Sequence, residues 1–215
     1  MFEEHEARLY DEVIDAGYHD QKSYLSELFK ILVKNSSILE LGCGTGKMTI
    51  PLIKKGFFVD ALDKSSFMIS QLKYKLRKIK VYESDIKDFA PRKSYDYIIS
   101  CNGPFSIKGD EIESYILEEE ELIEVINKLS SRAKIGLLIN KGIEKNGLHL
   151  KLKNNRRFAH FETREGDYMI MNHLLFKKNK LEIFRTHIKK RYPFNKIFRN
   201  AKYIKDYDNF KLIKL

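Results

Sequence analysis

The stretch ILELGCGTGKMT at residues 38–49 sets three glycines, Gly42, Gly44 and Gly46, into five positions between an apolar run and a lysine. Glycine-rich loops hold ligands because a residue without a Cβ lets the backbone approach closely. A phosphate-cradling P-loop requires G-x-x-x-x-G-K-[ST], but Leu41 stands where its first glycine belongs and Met48 replaces the hydroxyl residue. A dinucleotide fingerprint requires G-x-G-x-x-G, and Lys47 occupies the place of the third glycine. Neither loop fits. Other chemistry-bearing residues follow at intervals. Asp63 lies about twenty residues after Gly42, where a carboxylate can accept both hydroxyls of a ribose. Asp85 in ESDIKDF is placed to receive the exocyclic amine of a base, and Asn102 to Phe105 form NGPF. Each has a plainer alternative: Asp63 as a helix cap, Asp85 as a turn residue, Gly44 as a packing glycine. The set taken together points to a ligand with a ribose and a base, held by a third kind of glycine loop.

These residues need elements that bring them to one edge. Runs at 37–41, 57–62, 79–82, 95–101 and 133–140 have strand length, and helix-like segments at about 46–55, 65–77 and 110–130 alternate with them. Such alternation calls for right-handed crossovers and a mainly parallel sheet. The expected fold class is α/β and doubly wound, with ligands at the carboxyl edge near the switch in strand order. An amphipathic region over about 2–34 comes first. Past Lys141, runs at about 156–163, 167–176 and 180–189, separated by REGD and KKNK, predict an antiparallel meander. A short helix after Pro193 and a strand over FKLIKL at 210–215 complete the chain. We read one domain over 1–215: a helical region 1–34, a core 35–144, an antiparallel cap 145–192, and a terminal helix and strand 193–215. EEEE at 118–121 is expected within the helix as a solvated face.

Taken in order, ELGCGTG, ALDKSSFM, ESDIKDF and YDYIISCNGPF resemble the four sheet-edge motifs of the class I S-adenosylmethionine-dependent methyltransferases, over residues 37–140. The resemblance implies a Rossmann-like sheet and S-adenosyl-L-methionine as cofactor. It implies that Glu40, Gly42 and Gly44 face the methionine part, Asp63 the ribose, Asp85 the adenine amine, and Met68 and Ile86 the adenine faces. Cys43, Lys64 and Asn102 are expected among the cofactor contacts. A sulfonium and an ammonium favour a carboxylate such as Glu40 nearby on Coulombic grounds, and Lys47 need bind nothing. LYDEVIDAGYHD resembles the tyrosine-bearing lid helix of small-molecule N- and O-methyltransferases, including those acting on amino sugars and glycine. This implies lid roles for Tyr10 and Tyr18, Tyr18 also near the catalytic step, against the alternative of an aromatic flank on the first strand. NGPF approximates the N-P-P-[YF] motif of amino-methylating enzymes, with Gly103 in place of proline. Asn102 is thus a candidate acceptor contact and Phe105 a pocket wall.

At 215 residues, 43% of them hydrophobic, the chain can bury a substantial core. No apolar stretch reaches the roughly 18 residues of a membrane span, and the acidic N-terminus does not read as a secretory signal, so a cytoplasmic location is expected. Cys43 and Cys101 suggest neither a disulfide nor a zinc site, and no metal is expected. The net charge of +10 is concentrated: Lys145 to Leu215 hold 19 Lys and Arg against 6 Asp and Glu, a local +13. That suits either an anionic partner or a lysine-rich solvated surface.

Methyl transfer from a sulfonium needs an aligned acceptor and excluded water more than it needs chemistry from the protein. His160, His173 and His187 lie on strands of the basic meander, and His173 and His187 sit deeper in apolar runs as candidate bases near neutral pKa. Three functions compete. A methyltransferase acting on N or O of a small, anionic or nucleotide-linked acceptor suits the compact length and the cap. An RNA base methyltransferase would use the +13 region and NGPF. A non-catalytic binding protein would keep the fold alone. The first is favoured, with Arg156, Arg157 and Arg185 expected to face the acceptor and the oligomeric state left open.

Overall fold

Central parallel strands are covered on both faces, and Ser37–Leu41 (β1) has that character: Ile38, Leu39, Glu40 and Leu41 are all buried. The computed structural model describes residues 4, 7–11, 21–101, 103–142, 149–153, 156–177 and 180–215. Gln21–Ile31 (α1) precedes β1, and after it come Thr49–Lys54 (α2), Phe58–Asp63 (β2), Ser66–Lys75 (α3), Lys80–Glu83 (β3) and Tyr95–Ser100 (β4). The chain continues through Phe105–Lys108 (β5), Glu111–Ser114 (β6), Glu119–Ser130 (α4) and Ala133–Asn140 (β7). It ends with His149–Lys153 (β8), Arg156–Glu165 (β9), Tyr168–Lys177 (β10), Lys180–Pro193 (β11), Phe194–Ile197 (α5), Tyr203–Asp206 (β12) and Phe210–Lys214 (β13).

Among the described residues the first sheet has seven strands in the order β12-β13-β7-β4-β1-β2-β3, parallel from β7 to β3, with β13 and β12 antiparallel at one edge. The chain moves from β1 outward to β3 and then returns to the other side of β1 as β4. That reversal creates the crevice where open α/β sheets bind ligands. One face is covered by α1, through Tyr24 and Leu28, and the other by α4, through Leu122, Val125, Ile126 and Leu129. No helix among the described residues is long and apolar enough to cross a membrane.

The expected α/β doubly wound core is present, with its five parallel strands within two residues of their predicted bounds. The helix expected over 110–130 is corrected: it occupies only Glu119–Ser130, and a hairpin of β5 and β6 stands before it. The reason is Gly109-Asp110. Gly109 adopts φ +55, which closes a two-residue turn between the paired Lys108 and Glu111, and Ile107 and Ile112 then face the core from opposite strands. EEEE accordingly marks the start of α4 rather than its interior. Glu121 accepts the Glu118 N–H at 3.0 Å, and three acidic residues in the first turn complement the helix dipole.

The antiparallel meander is larger than the expected cap. The second sheet, of order β5-β6-β11-β10-β9-β8, takes the hairpin of residues 105–114 as well as the later strands. β8 and β12 were not anticipated.

Candidate functional site

Two strand ends meet closely at the crevice, and glycine makes the meeting feasible. A Cβ on Gly103, just past β4, would lie 2.2 Å from the Leu41 carbonyl oxygen at the end of β1. Proline carries the same Cβ, so this approach gives a physical reason for glycine where N-P-P-[YF] has proline. Asn102 and Tyr18 lie outside the described residues, as do the side chains of Arg156, Arg157 and His160. Gly44 is different in kind. Its φ of +51 needs glycine, yet a Cβ there would meet nothing within 4 Å, so its backbone borders open space.

Asp63 ends β2 and ties this loop to the next element. Its Oδ2 accepts the Gly44 N–H at 2.7 Å and its Oδ1 the Ser65 N–H at 2.9 Å. The helix cap of α3 is Ser65 itself, whose Oγ accepts from the Met68 N–H at 3.4 Å. Burial raises the Asp63 pKa and the backbone donors oppose that rise. Each oxygen retains lone pairs for a ligand. Across the opening, Lys64 Nζ pairs with Asp85 Oδ2 at 3.4 Å, and Asp85 Oδ1 accepts the Lys87 N–H at 3.2 Å.

Gly42, Gly44, Asp63, Lys64, Met68, Asp85, Ile86 and Tyr10 all line one cavity of about 580 Å³. Glu40 and Cys43 are buried beside the loop and are not part of that lining. Glu40 lies beneath the loop at 2% exposure with its Oε2 accepting from the Thr49 hydroxyl at 2.5 Å. Burial pushes its carboxyl up to about 8, with the Asp63 charge adding and the Thr49 hydrogen bond opposing. Cys43 is buried, and burial holds its thiol protonated. Phe105 is corrected: it is fully buried in the core, and Pro104 takes the place on the wall.

The opposite wall comes from the second sheet and the segment after β6. Tyr115, Ile116, Arg185 and His187 line it. The Tyr115 hydroxyl sits 3.1 Å from His187 Nδ1, and Lys189 Nζ lies 4.8 Å from the centre of the Tyr115 ring while donating to Ser106 Oγ at 3.2 Å. Ile116, a β-branched residue, adopts φ +42, a strained conformation at the cavity wall. The histidines depart from the near-neutral pKa expected of them. Burial, reinforced by the Arg185 cation, pushes His173 down to about 4, and burial with His173 and Arg185 pushes His187 down to about 2. Both are neutral imidazoles at neutral pH. His173 is not on the wall; its ring stands edge-on behind His187, with centroids 5.1 Å apart. Tyr115 is not legible in the sequence because the pattern over 110–130 reads as one helix. The Gly109-Asp110 turn was the signal that would have found it.

Comparison with known proteins agrees with this geometry. Residues 38–123 match the family model described as a methyltransferase domain. A Geobacillus sp. (strain WCH70) protein provisionally named a methyltransferase is 27% identical over 138 residues, covering 60% of this chain and 53% of that protein. The chain thus spans about half the length of the curated relatives it matches. A crystal structure of an S-adenosylmethionine-dependent methyltransferase from Clostridium acetobutylicum superposes with TM-score 0.67 at 20% identity, covering 97% of each chain. CalS10 from Micromonospora echinaspora, an amino pentose methyltransferase solved with bound S-adenosylmethionine, superposes with TM-score 0.69 at 15% identity, covering 100% of this chain and 98% of its own. At such identities the superpositions establish the fold.

Proposed function

We propose that this chain, whose residues 38–123 match a methyltransferase-domain family model, is a class I S-adenosylmethionine-dependent methyltransferase and that it methylates a nitrogen or oxygen of a small acceptor bearing an anionic group. The observation that carries the reading is a cavity of about 580 Å³ lined both by Asp63, Met68, Asp85 and Ile86 after the parallel strands and by Tyr115, Arg185 and His187 of the second sheet and its flanking segment. Cavities of about 300–1,000 Å³ suit drug-sized ligands, so this one has room for a nucleoside and a small second molecule.

The residues after the parallel strands fit S-adenosylmethionine. Asp63 would hold the ribose hydroxyls, Asp85 the adenine amine, and Met68 and Ile86 the faces of the ring. The open space over Gly44 admits the nucleoside beside bare backbone. Glu40 acts at one remove, as a buried carboxyl under the loop whose ionised form an ammonium above it would favour. When bound, the cofactor supplies a methyl group on a sulfonium, already activated for in-line displacement. The protein's remaining work is alignment, exclusion of water and, for a protonated acceptor, removal of one proton.

The residues of the second sheet and its flanking segment suit that work. His187, neutral at working pH, accepts a hydrogen bond from the acceptor's N–H or O–H, and Tyr115 orients the imidazole through Nδ1. An anionic group on the acceptor, seated against Arg185, offsets the charge that weakens His187 as a base and so raises its proton affinity. An amino sugar of the kind named for CalS10 has the size and the acceptor nitrogen for these residues; an anionic substituent is the added expectation.

The test has two arms. S-adenosylhomocysteine at about 100 times its Kd should stabilise the fold by about 2.7 kcal/mol, read as a rise in Tm, whereas NAD and ATP should leave Tm unchanged. Tritiated methyl donor should then label pools of phosphorylated and carboxylated small metabolites. Equal stabilisation by NAD would overturn the cofactor assignment, and label confined to neutral metabolites would overturn the anionic acceptor.

A further inference from the structure

A short helical stretch at residues 7–11 carries Tyr10 into the lining of the cavity. Ala7 buries its side chain, so the stretch has an apolar footing, and Asp11 adds polar attachments. The Asp11 carboxylate uses both oxygens. Oδ1 accepts from the Thr45 hydroxyl, in the glycine loop beside Gly44, and Oδ2 pairs with Lys75 Nζ at the end of α3. Lys75 closes the triangle by donating to the Thr45 carbonyl oxygen at 2.9 Å. Lys47, expected to bind nothing, reaches the Asp11 carbonyl oxygen at 3.4 Å. Three separated parts of the chain, the 7–11 stretch, the glycine loop and the last turn of α3, therefore meet at one carboxylate.

We propose that Asp11 is a positioning residue that holds the Tyr10-bearing stretch over the glycine loop through Thr45 and Lys75, and that this clasp sets the rate at which cofactor and its demethylated product exchange. The proposal rests on the reading of the cavity as the S-adenosylmethionine site. Its physical basis is the location of the attachment. Thr45 is almost wholly buried and is fixed between Gly44 and Gly46, so the clasp is anchored in the loop that would contact the ligand rather than on a remote surface. Tyr10, which lines the cavity, adjoins Asp11 in sequence, so the clasp bears on its placement. The Lys75 and Asp11 side chains are about one-third exposed, so the ion pair is screened by salt and breaks readily enough to open. A clasp of one charged hydrogen bond and one semi-exposed ion pair modulates exchange; it does not abolish binding.

The experiment measures dissociation of tritiated S-adenosylhomocysteine from the full chain by rapid filtration. Variants are Asp11→Asn, Asp11→Ala, Lys75→Met and the double variant Asp11→Ala with Lys75→Met. Asp11→Ala should release product on the order of tenfold faster than the native chain, and Asp11→Asn, which keeps an acceptor for Thr45, less. Lys75→Met should accelerate release as well, and the double variant should be no faster than Asp11→Ala, because both changes break the same contact. Native release should quicken with added sodium chloride, while release from the double variant should not. A merely structural role would lower Tm without this non-additivity or the loss of salt response. Unchanged dissociation in Asp11→Ala, with the native chain still binding product, overturns the clasp and leaves the cofactor reading standing. Failure of the native chain to bind S-adenosylhomocysteine overturns both.

Discussion

Asp63 and Glu40 are two carboxyl groups near one loop with opposite degrees of access, and access decides what each does. Asp63 lines the cavity while accepting one backbone N–H on each oxygen, so its orientation is set before any ligand arrives. Replacing it with alanine removes a charged acceptor and frees the Gly44 loop; we expect S-adenosylhomocysteine affinity to weaken by about 1–3 kcal/mol in calorimetry. Unchanged affinity would remove Asp63 from the site. Glu40 is buried, and its carboxyl is pushed from the ordinary 4.5 up to about 8. A raised folded pKa means the native state binds a proton that the unfolded chain has lost. Its stabilising contribution is therefore complete below about 4.5 and is lost as pH rises through about 8. The native chain's Tm should fall across that window relative to Glu40→Gln, whose amide is neutral throughout. Parallel Tm curves for the two proteins between those limits would show that Glu40 does not carry the shift. Bound cofactor should oppose the fall, since its ammonium favours the ionised form.

The elements explain which of these residues the sequence could reveal. Parallel strands such as β1 and β4 are short apolar runs with a glycine or an acidic residue at the carboxyl end, so their bounds and the line of Gly44, Asp63 and Asp85 are legible from pattern alone. The second sheet is less legible. Its strands carry Lys and Glu on buried positions: Lys108, Glu113 and Lys189 are all buried, so the alternation that marks a half-buried strand is blurred. Those charges are accommodated by pairing, Lys108 with Glu162 at 2.9 Å, a long-range contact that no local pattern encodes. The Gly103 turn is a further case, because its glycine answers to Leu41, sixty-two residues earlier. Restoring the motif with Gly103→Pro should therefore harm the protein. A Cβ at 2.2 Å from a backbone oxygen forces the two strand ends apart, at a cost of about 1–3 kcal/mol and a Tm lower by about 3–10 °C. A Tm equal to or above the native value would mean the turn can move without cost.

At the scale of the whole molecule, the basic excess of residues 145–215 is partly neutralised within the fold. Lys190 pairs with Glu118 at 2.6 Å, Lys196 with Glu119 at 2.7 Å, and Arg191 with Glu111, so cations of the C-terminal part meet carboxylates supplied before residue 144. This leaves less free charge for a phosphate backbone than the sequence total implies and favours the small-acceptor reading over RNA. The same contacts bear on modularity. The second sheet draws two of its strands, β5 and β6, from a hairpin inserted between β4 and α4, and the other four from a stretch beginning after β7. The second sheet is thus braided through the chain and cannot be transplanted as a cassette. A chimaera taking only residues 145–193 from another protein would inherit a foreign β11 against a resident β6, with Glu113 seeking partners that had been exchanged. Swapping both stretches together, with their shared ion pairs, is the smallest exchange that respects how this half of the molecule is assembled.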